Sequence, residues 1–193
     1  WGTPRNPWDA QTHRVPGGSS SGAGVSLCEG SALLALGSDT AGSVRIPASM
    51  TGNVGLKTSY GRWPINGIFP LSPTLDTAGT LTRDVADAVT AFAAIDPHQR
   101  SYGPRLSREV SQCSASDFCI GTGEVALWSD CDEGIAETVQ VALTELADAG
   151  VRIIETPLPE ATAAIELLKV GSVVSAEIDE LLSSALVPWR ETL

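Results

Sequence analysis

Histidine is scarce: His13 and His98 are the only two in 193 residues. The four cysteines, Cys28, Cys113, Cys119 and Cys131, include no C-x-x-C pair. The clustered imidazoles and thiolates that a zinc site demands are therefore missing, and no metal is expected. His13 sits in an N-terminal coil and His98 in a "DPHQ" turn, so a Ser-His-Asp triad has no support in the sequence. Lysine is equally rare, with Lys57 and Lys169 alone. None follows a glycine-rich stretch, which excludes the GxxxxGK[ST] phosphate loop. No G-x-S-x-G nucleophile elbow occurs either. No apolar run reaches the roughly 18 residues of a membrane span. Basic residues are outnumbered 12 to 23, for a net charge of −11. An acidic surface repels a phosphate backbone, so direct nucleic-acid binding is not expected. No internal repeat is present.

What is there suits a packed α/β protein. Hydrophobic residues make up 42% and charged residues 18%, enough apolar material for a real core. The length fits one domain, or one domain and part of another. Residues 1–18 read as coil. "SGAGVSLCEG" (21–30) is compatible with a short, closely packed helix. "ALLALGSD" (32–39) is a continuous apolar run closed by turn residues, the pattern of a strand buried on both faces. "SVRIPASMTG" (43–52) fits a helix ending at Gly52, with Pro47 tolerable only in its first turn. "NVGLKTS" (53–59) reads as a strand, and 60–80 as loops with short strands. Val85, Ala88, Val89, Phe92 and Ile95 fall at helical spacing, with Thr82 or Asp84 at the start and Pro97 beyond the end.

Residues 97–121 read as an irregular connector. "EVALWS" (124–129) predicts a strand, and 132–149 an amphipathic helix with Ile135, Val139, Leu143 and Leu146 on one stripe, stopping at Gly150. "VRIIETPLP" (151–159) predicts a strand and 160–186 a helix. Strands alternating with helices imply an α/β sheet covered on both faces. Trp63 is read as packing or as lining a substrate pocket, and Glu177, Asp179 and Glu180 as facing solvent. Cys113 and Cys119 would pair only in an exported protein. With no signal-peptide pattern, the expectation is a cytoplasmic protein with reduced thiols. The chain opens on Trp1 and stops just after a helical run, which reads as an internal piece.

Two glycine-serine clusters, Gly17–Gly22 and Ser38–Ser43, flank the apolar run. Gly42 and Ser43 lie at the carboxyl end of a strand and before a helix, where reacting groups sit in open α/β sheets. Successive N–H groups of a tight turn form a nest for an oxyanion, and a serine there has its hydroxyl beside those donors. The competing reading is that Ser43 only caps the following helix. If Ser43 is a nucleophile, it needs a base. A neutral lysine reached through a second serine would give the first cluster a purpose.

"GGSSSG", then "GSDTAGSVRIPA", "VGLKTSYGR" and "TLDTAGTLTRDVADAV", resemble the amidase signature family. The likeness is dense over 16–96 and looser over 124–182. It implies a mixed, twisted central β-sheet with helices on both faces, here incomplete. All of 1–193 would be part of one such domain, with a signature core at 1–96, the connector at 97–121 and a strand–helix part at 122–193. By the same resemblance, Ser43 matches the acyl-forming nucleophile and Ser19 the cis-serine that relays its proton. The N–H groups of Thr40, Ala41, Gly42 and Ser43 match the oxyanion hole. Asp39 and Arg45 match an ion pair supporting the nucleophile loop, with Ser20 as a further hydrogen-bonding residue. No cofactor is implied. The partner is a small-molecule amide, and a homodimer is left open.

Three departures stand out. Ala41-Gly42 replaces the common Gly-Gly, and Thr58 replaces the proline after "GLK". The catalytic lysine of the family lies N-terminal to the first cluster, where this chain has none. Lys57 matches a structural position and Lys169 lies in a late helix, so the base is expected outside this chain. The activity implied is amide hydrolysis through a serine acyl-enzyme. One alternative is the amide-transferring component of a tRNA-dependent amidotransferase, in which "RQP" often follows the nucleophile where this chain has Arg45-Ile46-Pro47. The other is a catalytically incomplete relic.

Overall fold

A computed structural model describes residues 2, 4–99, 103–123 and 131–184. It divides into two units, residues 1–109 with 173–193, and 110–172. The first unit is built on a three-stranded antiparallel sheet. Strands β1 (Leu34–Asp39), β2 (Val54–Lys57) and β3 (Thr77–Thr82) lie in the order β1-β3-β2. Helices α1 (Ser21–Cys28) and α2 (Arg45–Thr51) flank β1 in the chain, and α3 (Val85–Ile95) follows β3. Helix α7 (Val173–Ser183) also belongs to this unit.

The core gathers Leu27 of α1, Val44 and Ala48 at α2, and Leu81 of β3, with Ala23, Ala32 and Ala35 packed against it. Small residues permit this close approach. A Cβ on Gly24 would come within 2.8 Å of Thr51 Oγ1 and 3.2 Å of the Pro47 carbonyl oxygen, so α1 and α2 meet backbone to backbone. Helix α2 stops at Gly52, whose φ is +70°, where the sequence places its end. Helix α3 starts at Asp84, whose carboxylate accepts the Asp87 N–H at 2.8 Å, as an N-cap should.

Strand β1 differs from its expected burial. Leu36 is 68% exposed and Leu34 41%, whereas Ala35 packs on the core and Asp39 is fully buried. β1 is an edge strand of the sheet. One face carries the odd-numbered residues toward α1 and α2, and the other is open, so the run is one-sided rather than buried twice. The central strand is β3, which the loop reading of 60–80 did not anticipate.

Trp63 is a core anchor. It is 5% exposed, its indole N–H donates to Asp96 Oδ2 at 2.9 Å, and its ring lies 5.9 Å from that of Phe92. Buried Asp96 also takes Arg62 Nε at 2.6 Å and the His98 and Gln99 N–H groups. Burial pushes the Asp96 carboxyl up, but Arg62 and Trp63 outweigh it and the net shift is downward. Trp63→Phe keeps an aromatic ring and removes the donor to a charged acceptor. It is expected to cost about 1.5–3 kcal/mol, read from the denaturant midpoint at unchanged slope.

The second unit pairs β4 (Cys119–Thr122) in parallel with β5 (Arg152–Glu155), connected through α5 (Ile135–Asp148). Helix α4 (Gly103–Gln112) and a 3₁₀ turn at Ala115–Asp117 precede β4. The expected irregular connector at 97–121 thus holds regular structure. The strand expected at 124–129 lies outside the described residues. The helix expected over 160–186 is two, α6 (Pro159–Val170) and α7, separated at Gly171-Ser172. All four cysteines are free thiols. No described helix is long and apolar enough to cross a membrane.

Candidate active site

Strand β1 delivers Asp39 into the core and the chain turns at once into α2. The Asp39 carboxylate organises that turn. Oδ1 accepts the Gly42 N–H at 2.8 Å and Arg45 Nη2 at 3.0 Å. Oδ2 accepts the Val44 N–H at 3.1 Å, the Arg45 N–H at 3.3 Å and Arg45 Nε at 3.1 Å. Burial alone would raise the Asp39 pKa. The Arg45 guanidinium and the three amides outweigh it and hold the carboxyl below its usual value of 3.8. Asp39 in turn raises the Arg45 pKa. The loop therefore has an ionised carboxylate at its centre.

This geometry sorts the four amides of the turn. The Gly42 N–H is committed to Asp39. Those of Thr40, Ala41 and Ser43 make no hydrogen bond among the described residues. Gly42 sits at φ +121°, and a Cβ there would meet Ile46 Cδ1 at 2.6 Å, so only glycine fits. Ser43 is half-buried and Ala41 exposed. Ser43 does not cap α2: the cap residue is Val44, and no side-chain cap bond forms.

The first cluster is seated on the second. Gly17, at φ +81°, lies so close to α2 that a Cβ would meet Pro47 Cα at 2.8 Å and the Ile46 carbonyl carbon at 3.1 Å. The Gly18–Ser19 peptide is cis. The next amide, Ser20 N–H, donates to the Ser43 carbonyl oxygen at 3.2 Å. Ser20 also lies against β1, where a Cβ on Gly37 would fall 2.6 Å from its hydroxyl oxygen. Ser19, exposed, is thus on the turn that is bonded to Ser43.

Sequence reasoning missed the far wall of the loop. The Thr40 hydroxyl donates to Asp76 Oδ1 at 2.5 Å, and Asp76 Oδ2 accepts the Leu71 and Ser72 N–H groups at 2.8 and 3.0 Å. Asp76 stands in the "TLDTAG" stretch, and its place just before a strand was the only local signal. Glu177, expected to face solvent, instead accepts the Ser72 and Thr74 hydroxyls. The two lysines are engaged elsewhere: Lys57 Nζ donates to the Thr58 carbonyl oxygen at 2.7 Å, and Lys169 Nζ pairs with Glu166. Among the described residues no cluster of His, Cys, Asp or Glu could hold a metal ion.

A buried strand end, a loop fixed by one carboxylate, three unbonded amides and a serine-bearing turn bonded to it form a motif shared with known enzymes. The amidase family model matches residues 1–186. The chain is 51% identical over 178 residues to 2-amino-5-chloromuconic acid deaminase of Comamonas testosteroni, covering 92% of this chain and 37% of that protein. The crystal structure of the glutamyl-tRNA(Gln) amidotransferase GatA-type chain from Thermotoga maritima superposes with a TM-score of 0.75 at 29% identity, over 98% of this chain and 42% of that one. Native peptide amidase of Stenotrophomonas maltophilia superposes with a TM-score of 0.63 at 29% identity, over 84% and 34%. The chain thus spans between about a third and two fifths of the length of these relatives. With a family match over nearly every residue, the chain belongs to the amidase family.

Proposed function

We propose that this chain carries the acyl-transfer centre of an amidohydrolase acting on a small carboxylic amide. The observation that carries the reading is the turn after β1. Asp39 fixes it with three backbone bonds and leaves three neighbouring N–H groups unbonded around Ser43. Fixed donors without an internal partner are what a developing oxyanion requires.

In the proposed reaction the Ser43 Oγ attacks the amide carbonyl carbon as its proton passes to the Ser19 Oγ. The Ser19 proton moves on to a neutral lysine Nζ supplied from outside these 193 residues. The carbonyl oxygen, now an oxyanion, is held by the Thr40, Ala41 and Ser43 N–H groups. The Gly42 N–H keeps the loop in shape from behind. The C–N bond breaks as the proton returns along the relay to the leaving nitrogen, and ammonia or an amine departs. Water then attacks the acyl-enzyme by the reverse proton route and releases the carboxylic acid. The free thiols support placing the enzyme in the cytoplasm.

The test is covalent trapping. A fluorophosphonate added to the full-length protein is expected to add one phosphonyl group, located on Ser43 by peptide mass spectrometry. Labelling elsewhere, or none, would sink the reading. The 193 residues alone are expected to label at least a hundredfold more slowly, because a missing general base costs about 10²–10⁴ in rate.

The second reading is the amide-transferring component of a tRNA-dependent amidotransferase, favoured by the superposition on the Thermotoga maritima protein over 98% of the chain. Against it stand Arg45-Ile46-Pro47 and the 51% identity to a deaminase. Co-purification with a second polypeptide, together with glutamine-dependent amide transfer, would mark that reading instead.

A further inference from the structure

We propose that Glu177 of α7 is a positioning residue for the nucleophile loop, acting through Ser72, Asp76 and Thr40. The proposal rests on the acyl-transfer reading above, and the route is written in hydrogen bonds. Glu177 Oε2 accepts the Ser72 hydroxyl and the Thr74 N–H, the latter at 3.3 Å, and Oε1 accepts the Thr74 hydroxyl. Ser72, with no exposed surface, is the hub. Its carbonyl oxygen takes the Leu75 and Asp76 N–H groups at 3.0 and 2.8 Å, and its own N–H goes to Asp76 Oδ2 at 3.0 Å. The other oxygen of Asp76 takes the Thr40 hydroxyl at 2.5 Å. Thr40 is the first of the three amides left free for an oxyanion.

Both carboxylates on this route are held by hydroxyl and amide donors. Each oxygen of Glu177 accepts, so each hydroxyl is oriented as a donor toward it, and the loop 71–76 is locked in one arrangement. The Glu177 carboxyl lies below its usual range, with the Ser72 hydroxyl as the largest cause, in keeping with an ionised acceptor. The segment is pinned on its other side too, since Thr77 Oγ1 donates to the Asp39 carbonyl oxygen at 2.7 Å. A helix more than 100 residues away in sequence (the Ser72–Glu177 separation is 105) therefore braces the wall against which Thr40 is set. A solvated acidic face would leave Glu177 with water as its partner. Here it has three protein donors.

The experiment uses the full-length protein, with Glu177→Gln and, as a second route to the same break, Ser72→Ala. Glutamine turns an NH2 group toward donors, so the brace is lost without loss of volume. Circular dichroism establishes that each variant is folded. Two readouts follow. The first is fluorophosphonate labelling, split into the maximal labelling rate and the half-saturating concentration. Loss of positioning lowers the maximal rate about tenfold with the half-saturating concentration unchanged. The second is hydrogen exchange of the Gly42, Val44 and Arg45 amides, expected about tenfold faster. In a Thr40→Val background, which removes the hydroxyl and keeps the N–H, Glu177→Gln is expected to slow labelling less than twofold further, because both act on one route.

A folded Glu177→Gln with wild-type labelling rate and wild-type exchange overturns the proposal. So does a full tenfold effect on top of Thr40→Val. Absence of labelling in the wild-type protein overturns the acyl-transfer reading instead, and the exchange measurement still decides whether Glu177 braces the loop.

Discussion

Ser43→Ala in the full-length protein is expected to lower kcat for a small amide by about 10⁴–10⁶, the range seen when the nucleophile of a serine hydrolase is removed. The side chain is half-buried and caps no helix, so its loss leaves the fold as it was. The melting temperature of the variant is expected within about 2 °C of wild type, as for a substitution that breaks no buried contact. This pairing of results separates chemistry from stability. Ser19→Ala is expected to be milder, about 10²–10⁴ in kcat, because the Ser43 oxyanion donors remain. Combining the two is expected to cost little more than Ser43→Ala alone, since residues acting as one unit are not additive. Retention of more than a hundredth of the activity in Ser43→Ala would show that another group forms the covalent bond.

The parts of this site that the sequence exposes are those coded locally. The turn glycines, the Asp39–Arg45 spacing and the helix α2 with its Gly52 stop all lie close together in the chain, and the structure records that ion pair and that helix end. Helix α3 is equally legible, because Asp84 and Pro97 punctuate a 3.6-residue pattern. Strand β3 was not, for a physical reason. "TAGTLT" has neither alternation nor a run of large apolar residues. It is a strand because β1 and β2 pair with it on either side, and pairing partners are a tertiary property.

The exposure of Leu34 and Leu36 was hidden for a related reason. A continuous apolar run does not say how many faces are covered. Asp76 and Glu177 lie 36 and 103–105 residues from the groups they hold. An acidic side chain with hydroxyl partners at such separations looks, in sequence, like one that faces water. The break between α6 and α7 had a local marker in Gly171-Ser172, and a longer helical reading passed over it.

Asp39→Asn is the variant expected to damage the fold most. Asp39 has no exposed surface, and its two oxygens take five donors, two of them from the Arg45 side chain. An asparagine of the same shape keeps one acceptor. Its NH2 group faces N–H donors, so two or three bonds become clashes of like polarity, and the Arg45 guanidinium loses its counter-charge. Breaking one side of a buried pair costs about 3–5 kcal/mol. Chemical denaturation of the wild-type and variant proteins at neutral pH reads that difference directly. The acid dependence gives it a signature. Because the folded pKa of Asp39 lies below 3.8, its contribution to stability is fully present well above that value and is lost as pH falls through the folded pKa. The wild-type advantage over Asp39→Asn is therefore expected to be constant from about pH 5 upward and to shrink progressively below pH 3.8. A difference that grew toward acid would mean that the carboxyl is protonated in the folded protein, and the loop would then need another centre to hold its amides.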